Sequence, residues 1–487
     1  MGHLGIFQMG KRNIMHNKGS TIWLYKKNVL ILLPNRISCI SHVSYKKDIK
    51  MKIKFVTLGC KLNFAESSAI GKALIAQGHQ RVGRQEQADV CIINTCTVTD
   101  HADQKDRQAI HRIRRENPNA TLIVTGCYAQ LNRSQEVRDK HASLWAQVDY
   151  IVGQDEKSSI PDIVAHLAEK QASGTRTALQ VAVEEPCHFN HAVSYDDRTR
   201  CFLKVQDGCN YFCSYCTIPF ARGRSRNPAI KELVVQATSA IEQGAKELVL
   251  TGVNIGDFGR STNEDFVSLL KALDEISCGE FRIRIGSCEP NLLTEEIIDF
   301  VAQSKHFTPH FHIPLQSGSN RVLKIMGRRY TRELFAQRVA YIRSVLPDAF
   351  IGVDCMVGVR GEDEACYQEY LEFIRELPVS QLHVFTYSER ANTRILKEEL
   401  LVVPHKQREA RSSEMRQLSD RKTQAFYEQN IGKPLTILWE SNQCKINGIA
   451  YMNGFSENYI KVSAPYDKNK INTFETITLN PSYLVGK

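Results

Sequence analysis

The chain has 487 residues, of which 42% are hydrophobic and 24% are charged, a composition typical of a folded protein with about two to four domains. Its formal net charge of +10 is concentrated at the start, because residues 1–50 hold nine basic side chains and one acid, which leaves +2 for the other 437 residues. The composition therefore excludes a chain that is basic throughout, and a nucleic-acid-binding surface would have to be local.

Residues 1–50 show no clear periodicity, and we predict an extension without regular structure there. Their longest apolar run, residues 29–33, is too short to cross a bilayer. Fifteen cysteines without a secretion signal favour a reducing compartment. We therefore predict a cytoplasmic protein without membrane association, whose thiols bind metal or pack in the core.

Residues 51–169 are predicted to form an α/β domain with a parallel sheet, because short apolar strands alternate with helical stretches. Three of these strands, IKFVTLGC (53–60), VCIINTC (90–96) and TLIVTGC (121–127), end at Cys60, Cys96 and Cys127. The carboxyl ends of parallel strands meet at one edge of a sheet, where ligands bind. The sequence therefore predicts a shared metal site, and the alternative is three buried core cysteines.

Residues 170–198 are predicted to be a linker, and a second α/β series occupies residues 199–425. Its six predicted strands, from CFLKVQDGC (201–209) to QLHVFTY (381–387), alternate with helices. Six such units predict an open (β/α)6 barrel with its site at the carboxyl ends of the strands. Residues 432–487 show short strands separated by Gly and Asn turns, which predict a small antiparallel β-barrel.

A second group of cysteines, Cys209, Cys213 and Cys216, follows the first strand of this series. Structural zinc sites take four ligands, and no fourth Cys or His lies at a standard spacing. Iron–sulfur clusters bind thiolates readily, and three thiolates on a four-iron cluster leave one iron open to a small molecule. The spacing thus favours an iron–sulfur cluster, with a zinc site as the alternative.

These cysteines lie in motifs that resemble a known family. CNYFCSYC (209–216) resembles the radical S-adenosylmethionine (SAM) signature, while TLGCKLN (57–63), NTCTVT (94–99), TGCYAQ (125–130) and CTIPFARGRSR (216–226) resemble the methylthiotransferases. The resemblance extends from residue 51 to the C-terminus. TLGCKLN is similar to the subgroup acting on N6-threonylcarbamoyladenosine at position 37 of tRNA, and the C-terminal segment resembles a TRAM domain.

The resemblance implies an enzyme that methylthiolates C2 of this tRNA nucleoside with SAM and two [4Fe-4S] clusters. Cys209, Cys213 and Cys216 would hold the cluster that binds SAM, from which a 5′-deoxyadenosyl radical forms and abstracts hydrogen from C2. The other three cysteines would hold the cluster that carries the transferred sulfur, and a second SAM would supply the methyl group. The implied partners are tRNA and an external one-electron reductant, and we expect a monomer.

Further site residues follow from the resemblance and from their positions at strand ends. The residues expected to contact SAM are Tyr215, Thr251, Gly252, Asn254, Ser287 and Gln316. The residues expected to contact RNA phosphates, or the SAM carboxylate, are Arg222, Arg224 and Arg226.

The chain departs from the family pattern at two places. GVRGE (358–362) stands where G-F-P-G-E is usual, and Ala391 and Asn392 stand where Pro-Gly is usual. These departures put the rigidity of the SAM loop in question. The alternatives left open are a methylthiotransferase for isopentenyladenosine or for a ribosomal-protein aspartate, a non-catalytic iron–sulfur RNA-binding protein, and a zinc-stabilised RNA-binding module.

Overall fold

The computed structural model describes residues 50–171, 180–181, 186–194, 199–446 and 448–484, and it assigns five short strands within residues 6–40. These strands pair antiparallel in sequence order and belong to a unit of their own. They are β1 (Ile6–Met9), β2 (Arg12–Asn17), β3 (Ser20–Tyr25), β4 (Asn28–Leu33) and β5 (Arg36–Ile40).

The sequence predicted no regular structure in residues 1–50, so the structure differs there at the five strands. Two residues separate each strand from the next, a spacing typical of β-hairpin turns. The remaining residues before Lys50 lie outside the described part of the chain.

The N-terminal part of the second unit is a parallel sheet with strand order β11-β10-β9-β8-β6-β7, which confirms the predicted α/β arrangement. Its strands are β6 (Lys52–Thr57), β7 (Gln80–Arg81), β8 (Val90–Thr95), β9 (Thr121–Gly126), β10 (Tyr150–Val152) and β11 (Gln180–Val181). Its helices are α1 (Lys61–Ala76), α2 (Asp100–Glu116), α3 (Cys127–Leu131), α4 (Gln135–Asp139), α5 (Ala142–Trp145) and α6 (Ile160–Gln171).

Six further parallel strands form two three-stranded sheets, β12-β13-β14 and β15-β16-β17, which are bridged at Ser287 and His312. The strands are β12 (Arg200–Lys204), β13 (Glu247–Thr251), β14 (Arg282–Ile285), β15 (His310–Gln316), β16 (Phe350–Val357) and β17 (Gln381–Thr386). The helices are α7 (Ile218–Arg222), α8 (Ile230–Glu242), α9 (Phe266–Asp274), α10 (Glu295–Gln303), α11 (Asn320–Met326), α12 (Arg332–Val345) and α13 (Glu364–Glu376).

The two faces of these six strands differ in polarity because side chains alternate along a strand. One face contributes Leu203, Leu250 and Ile313, among others, to a large apolar core beneath the helices. The opposite face carries charged side chains, such as Arg284 and Asp354, which border cavities. A polar inner face of this kind is where chemistry can take place.

The C-terminal part is an antiparallel four-stranded sheet of order β20-β19-β18-β21 that follows a long helix. Its elements are α14 (His405–Glu428), β18 (Pro434–Ile446), β19 (Ile449–Ser456), β20 (Lys461–Pro465) and β21 (Phe474–Thr478). The sheet packs on the six-stranded region, since Phe350 joins its apolar core. Arg282 donates to the carbonyl oxygens of Thr436 (3.0 Å) and Phe455 (2.9 Å). Within the described ranges, no helix is both long enough and apolar enough to cross a membrane.

A buried carboxylate joins the N-terminal sheet to the six-stranded region. Glu66 on α1 is 4% exposed; its Oε1 accepts from Lys204 Nζ (3.0 Å) and Arg222 Nη1 (3.0 Å), and its Oε2 accepts from Lys157 Nζ (2.5 Å). Asp207 pairs with the same Lys204 (2.7 Å) and Arg222 (3.1 Å). Burial by itself would raise the pKa of Glu66, but these three cations hold it well below its usual value.

We expect the Glu66→Gln substitution to lower the free energy of unfolding by about 3–5 kcal/mol, because it leaves buried cations without their counter-charge. Urea unfolding followed by circular dichroism measures this loss. The lowered pKa means that the carboxylate stabilises the fold above about pH 4.5, the ordinary value. The difference between wild type and variant should therefore persist at neutral pH and shrink only in acid.

The matched control is Glu296→Gln, which removes an ion pair with Lys271 in which both side chains are more than half exposed. Exposed pairs contribute about 0–1 kcal/mol. If the two variants lost similar stability, the buried cluster would not be the junction that we describe.

Candidate active site

The first three cysteines lie at the same edge of the N-terminal sheet. Cys60 is the N-cap of α1, Cys96 directly follows β8, and Cys127 begins α3 directly after β9. The strands are parallel and in register, with Thr57 opposite Asn94 and Thr95 opposite Gly126. The placement is the one that the strand-end argument predicted.

Two glycines allow the cysteine loops to approach each other closely. Gly59 has φ +94°, and a Cβ atom there would lie 2.5 Å from Cys96 Cβ. Gly126 has φ +100°, and a Cβ atom there would lie 2.4 Å from the carbonyl oxygen of Thr95. Only glycine fits such positions without displacing the neighbouring strand. The two glycines thus allow the loop before Cys60 to approach Cys96 and the end of β9 to approach Thr95.

The thiols of this group are held in a largely buried setting. Cys96 and Cys127 are buried, whereas Cys60 is exposed. Burial, followed by the proximity of Cys127 and Cys60, raises the pKa of Cys96 to about 12. Asn63 ties the loops together, since its amide donates to the carbonyl oxygens of Leu58 (2.7 Å) and Thr95 (2.9 Å). Three thiols without a bridging disulfide suit a thiophilic metal group that displaces their protons on binding.

The second group of cysteines lies in the loop between β12 and α7. The backbone turns sharply here, with Phe212 at φ +50° and Cys216 N–H donating to the carbonyl of Cys213 (3.0 Å). Burial raises the pKa of Cys209 to about 11 and that of Cys216 to about 12. Arg328 Nη1 donates to Cys213 Sγ (3.2 Å), a contact that would stabilise a thiolate there.

A cavity of about 300 Å³ opens directly on these three cysteines. Asn254 lines it, and both polar atoms of this buried amide lack a hydrogen-bond partner among the described residues. Gln316 also lines it, with φ +64° and with its Oε1 buried and unpartnered in the same sense. Buried polar groups are normally paired, so these atoms point to a polar ligand that completes the cavity.

The structure separates the six residues expected to contact SAM into two sets. Tyr215, Asn254, Ser287 and Gln316 line this cavity. Thr251 and Gly252 do not, and they line a neighbouring cavity instead. The reason is that β13 ends at Thr251, so the chain reaches the first cavity only after the following turn, at Val253 and Asn254.

The arginines predicted to contact RNA phosphate are also divided. Arg222 is 1% exposed and binds Glu66, Asp207 and Asn63, so this prediction is wrong for Arg222. Arg226 is buried as well, with its Nε donating to the carbonyl of His188 (2.6 Å) and its guanidinium beside Asp155 and Asp207. Arg224 is exposed and lies over the Phe212 ring. Only Arg224 remains available to a phosphate.

Several residues that line the cavities were missed by the sequence analysis. Arg328 forms an ion pair with Glu289 beside Cys213. Ser287 Oγ lies 2.8 Å from His312 Nδ1, and His312 Nε2 lies 2.7 Å from Asp354 Oδ1, which makes a continuous hydrogen-bonded chain. Two features of the sequence could have indicated these residues. They are the adjacent arginines in MGRRY (326–330) and the two histidines within the predicted strand HFHIP (310–314).

The second cavity, of about 470 Å³, borders Cys60 and the polar inner face of the six strands. Ser287 lines both cavities. Val98 and Thr99, which follow Cys96, reach the wall of the first cavity. Cys60 of the first cysteine group and all three cysteines of the second group thus border neighbouring cavities.

The two departures from the family pattern keep their loop geometry by other means. Gly358 and Gly361 have φ +78° and +84°, and Glu362 Oε1 accepts from Gly358 N–H (2.8 Å) and from Arg411 Nη1 (2.8 Å). Arg360 pairs with Glu389 (2.9 Å). Asn392 has φ +66°, a left-handed conformation that asparagine tolerates better than most residues.

Comparison with known proteins matches both parts of this site. The family model described as "Uncharacterized protein family UPF0004" matches residues 52–153, and that of the radical SAM superfamily matches residues 203–374. A relative from Pelotomaculum thermopropionicum named tRNA-2-methylthio-N(6)-dimethylallyladenosine synthase is 28% identical over 407 residues, covering 82% of this chain and 89% of that protein.

Relatives of higher identity carry a different name, Threonylcarbamoyladenosine tRNA methylthiotransferase MtaB. The Aquifex aeolicus protein is 37% identical over 390 residues, covering 80% of this chain and 92% of that protein. The Bacillus subtilis protein is 38% identical over 415 residues, covering 84% of this chain and 89% of that protein. With this identity over nearly the whole length of both relatives, the chain belongs to the family of threonylcarbamoyladenosine tRNA methylthiotransferases.

Proposed function

We propose that this protein methylthiolates C2 of N6-threonylcarbamoyladenosine at position 37 of tRNA by radical SAM chemistry. The single observation that carries the proposal is that Cys60 of the first cysteine group and all three cysteines of the second line neighbouring cavities that share Ser287 in their walls. A reaction that cleaves a C–H bond and then adds sulfur to the same carbon needs both reagents within reach of one substrate atom. Two cysteine sites on separate surfaces would not support it.

The donor sets fit two iron–sulfur clusters. Each group offers three thiols, and no fourth cysteine lines the first cavity in the part of the chain that the structure describes. Cys209, Cys213 and Cys216 would hold one [4Fe-4S] cluster, and the remaining group, Cys60, Cys96 and Cys127, would hold the other. When bound, the first cluster and SAM supply the radical that activates the C–H bond, and the second supplies the sulfur.

The side chains around the cavities have three roles in this proposal. Asn254 and Gln316 bind the polar groups of SAM, since both polar atoms of the Asn254 amide and the Oε1 atom of Gln316 lack a hydrogen-bond partner among the described residues. Arg328 donates to Cys213, and its guanidinium forms an ion pair with the largely buried Glu289. Val98 and Thr99 close the wall from the N-terminal sheet and limit water, which would otherwise quench a reactive intermediate.

The finer features stay predictions within this proposal. They are an open (β/α)6 barrel for the six strands, a TRAM-like barrel for the C-terminal sheet, and the domain limits 51–169, 199–425 and 432–487 with the linker 170–198. The cytoplasmic location, the monomeric state and the external reductant are predictions as well. The predicted contact with RNA phosphates rests on Arg224, the exposed arginine of the three.

We expect anaerobically reconstituted protein to convert this nucleoside in tRNA to its methylthio form, with two separable functions. Cys213→Ala should abolish reductive SAM cleavage, because it removes a ligand of the SAM site. Cys60→Ala should retain SAM cleavage and lose methylthiolation, and each variant should lose roughly half of the bound iron. Nucleoside mass spectrometry, 5′-deoxyadenosine analysis and iron analysis measure these outcomes.

Cys201→Ala is the control, because this buried cysteine lies in the strand core away from both cavities. It should keep both functions. The proposal would fail if wild-type protein bound zinc without iron, or if tRNA from a deletion strain still contained the methylthio nucleoside. If the protein methylthiolated only isopentenyladenosine, its substrate would be that nucleoside and not threonylcarbamoyladenosine.

We expect Asn254→Ala to weaken SAM binding about tenfold, while leaving the free energy of unfolding within about 0.5 kcal/mol of wild type. The reason is that its amide makes no hydrogen bond with the described residues. Equilibrium dialysis with SAM and urea unfolding measure the two effects. Asn227→Ala is the contrast, because the buried Asn227 amide bonds Thr262 (2.8 Å) and Gly259 (2.9 Å). It should lose stability, and the reverse pattern would refute the assignment of Asn254.

A further inference from the structure

The cavity beside Cys60 has an unusual charge distribution. Three of its lining residues are the cations Lys61, Arg200 and Arg284, and none of its lining residues is an aspartate or a glutamate. The cavity lies between the start of α1, the inner face of the six strands and Tyr459 of the C-terminal sheet. The cavity is open to solvent at Cys60 and Lys61, which are both exposed, and a cleft lined in this way favours an anionic group.

Two of the three cations already have counter-charges. Arg284 is buried and donates to both oxygens of Glu247 (3.0 Å each) and to the carbonyl of Glu457 (3.0 Å). Arg200 donates to Glu440 (2.7 Å) and to the hydroxyl of Tyr459 (3.2 Å). Both guanidinium groups are therefore committed to joining the strands to the C-terminal sheet.

Lys61 is different, because its ammonium group has no hydrogen bond or ion pair with any residue that the structure describes. It is the first residue of α1 and directly follows Cys60. The nearest acid on the same helix, Glu66, is occupied by Lys157, Lys204 and Arg222. Asp354 on the inner face is hydrogen-bonded to His312 (2.7 Å). Lys61 is thus the cation in the cavity wall that lacks a counter-charge.

We propose that Lys61 binds the carboxylate of the threonylcarbamoyl group and thereby selects this substrate; the assignment rests on the function proposed above. The group is a threonine joined to N6 of adenine through a urea, and its carboxylate is the charge that an isopentenyl group lacks. C2 and C6 of adenine are separated by a single ring nitrogen. The threonylcarbamoyl substituent therefore begins close to C2, and Lys61 and Cys60 line the same cavity.

The contact also has the physical properties that selection requires. A lysine ammonium on a flexible stem adapts to a carboxylate at the end of a mobile substituent. A hydrogen bond in which both groups are charged is roughly twice as strong as one between neutral groups. An apolar substituent would leave the ammonium without a partner in that space, and this penalty disfavours the wrong substrate. Lys61 would thus determine substrate specificity and would take no part in the reaction at the two cysteine groups.

The test compares Lys61→Gln with wild type on two tRNAs, one carrying threonylcarbamoyladenosine and one carrying its carboxyl methyl ester. The measurements are the Kd for each tRNA by filter binding and kcat/KM for methylthiolation. We expect wild type to prefer the free carboxylate about 10- to 100-fold, and Lys61→Gln to lose most of this preference by weakening only the charged substrate. Lys61→Arg, which keeps the charge, should restore part of it.

Lys231→Gln is the matched control, because Lys231 is an exposed lysine near the start of α8 and lines neither cavity. It should leave the preference unchanged. Iron content and SAM cleavage without tRNA should be the same in all variants, which separates a folding defect from lost recognition.

Equal weakening of both tRNAs by Lys61→Gln would overturn the assignment, because the lysine would then act through position and not through charge. Equal affinity of wild type for the acid and the ester would overturn it as well. If wild type failed to methylthiolate the unesterified tRNA, the proposed function itself would fall, and the assignment of Lys61 with it. A preference that is retained by wild type and lost in Lys61→Gln supports both.

Discussion

The Glu66 carboxylate is the contact on which the relation between the two cysteine groups depends. It lies on α1, whose N-cap is Cys60, and it binds Arg222, which lies at the end of the helix that follows Cys216. The same oxygens hold Lys157 and Lys204, so segments from both α/β regions converge on one buried anion. A buried ion pair contributes little net stability over an apolar contact, but it tolerates no misplacement. Its value here is that it fixes the position of one cysteine group relative to the other.

The polar face of the six strands also contains a buried carboxylate that binds more than one cation. Glu247 accepts from Arg282 and Arg284, and both arginines also reach carbonyl groups of the C-terminal sheet. These buried charges are satisfied in pairs, so the polar face exists without isolated charges apart from those that line the cavities. In the wall of the first cavity, the Asn254 amide and the Oε1 atom of Gln316 have no hydrogen-bond partner among the described residues. Buried polar atoms of this kind are suited to bind a ligand.

Much of this organisation follows from the sequence, and the remainder depends on long-range packing. The strand-end positions of Cys60, Cys96 and Cys127 are predictable because short apolar strands and their direction can be read from neighbouring residues in the sequence. Arg222 was assigned to RNA because a run of arginines in a loop looks exposed, and only the tertiary contact with Glu66 shows that it is buried. Thr251 was assigned to the SAM cavity because it lies at the end of a predicted strand. The sequence does not show that the chain reaches this cavity only two residues later, at Val253. Pairs such as His312 and Asp354 come from different strands, so no local pattern links them.

Tyr459 gives the C-terminal sheet a place in the chemistry. It has φ +66°, a conformation that costs a tyrosine of order 1–3 kcal/mol, and its ring lies over the guanidinium of Arg284 (4.8 Å) at the wall of the cavity beside Cys60. The C-terminal sheet is therefore part of the cavity wall as well as a candidate RNA-binding domain. Exchanging it between relatives would replace Tyr459 in the wall of the cavity beside Cys60, and truncating the chain before it would remove this residue from the wall. With the modified base bound in this cavity, as we propose, the C-terminal sheet takes part in substrate choice together with the two regions that the family models match.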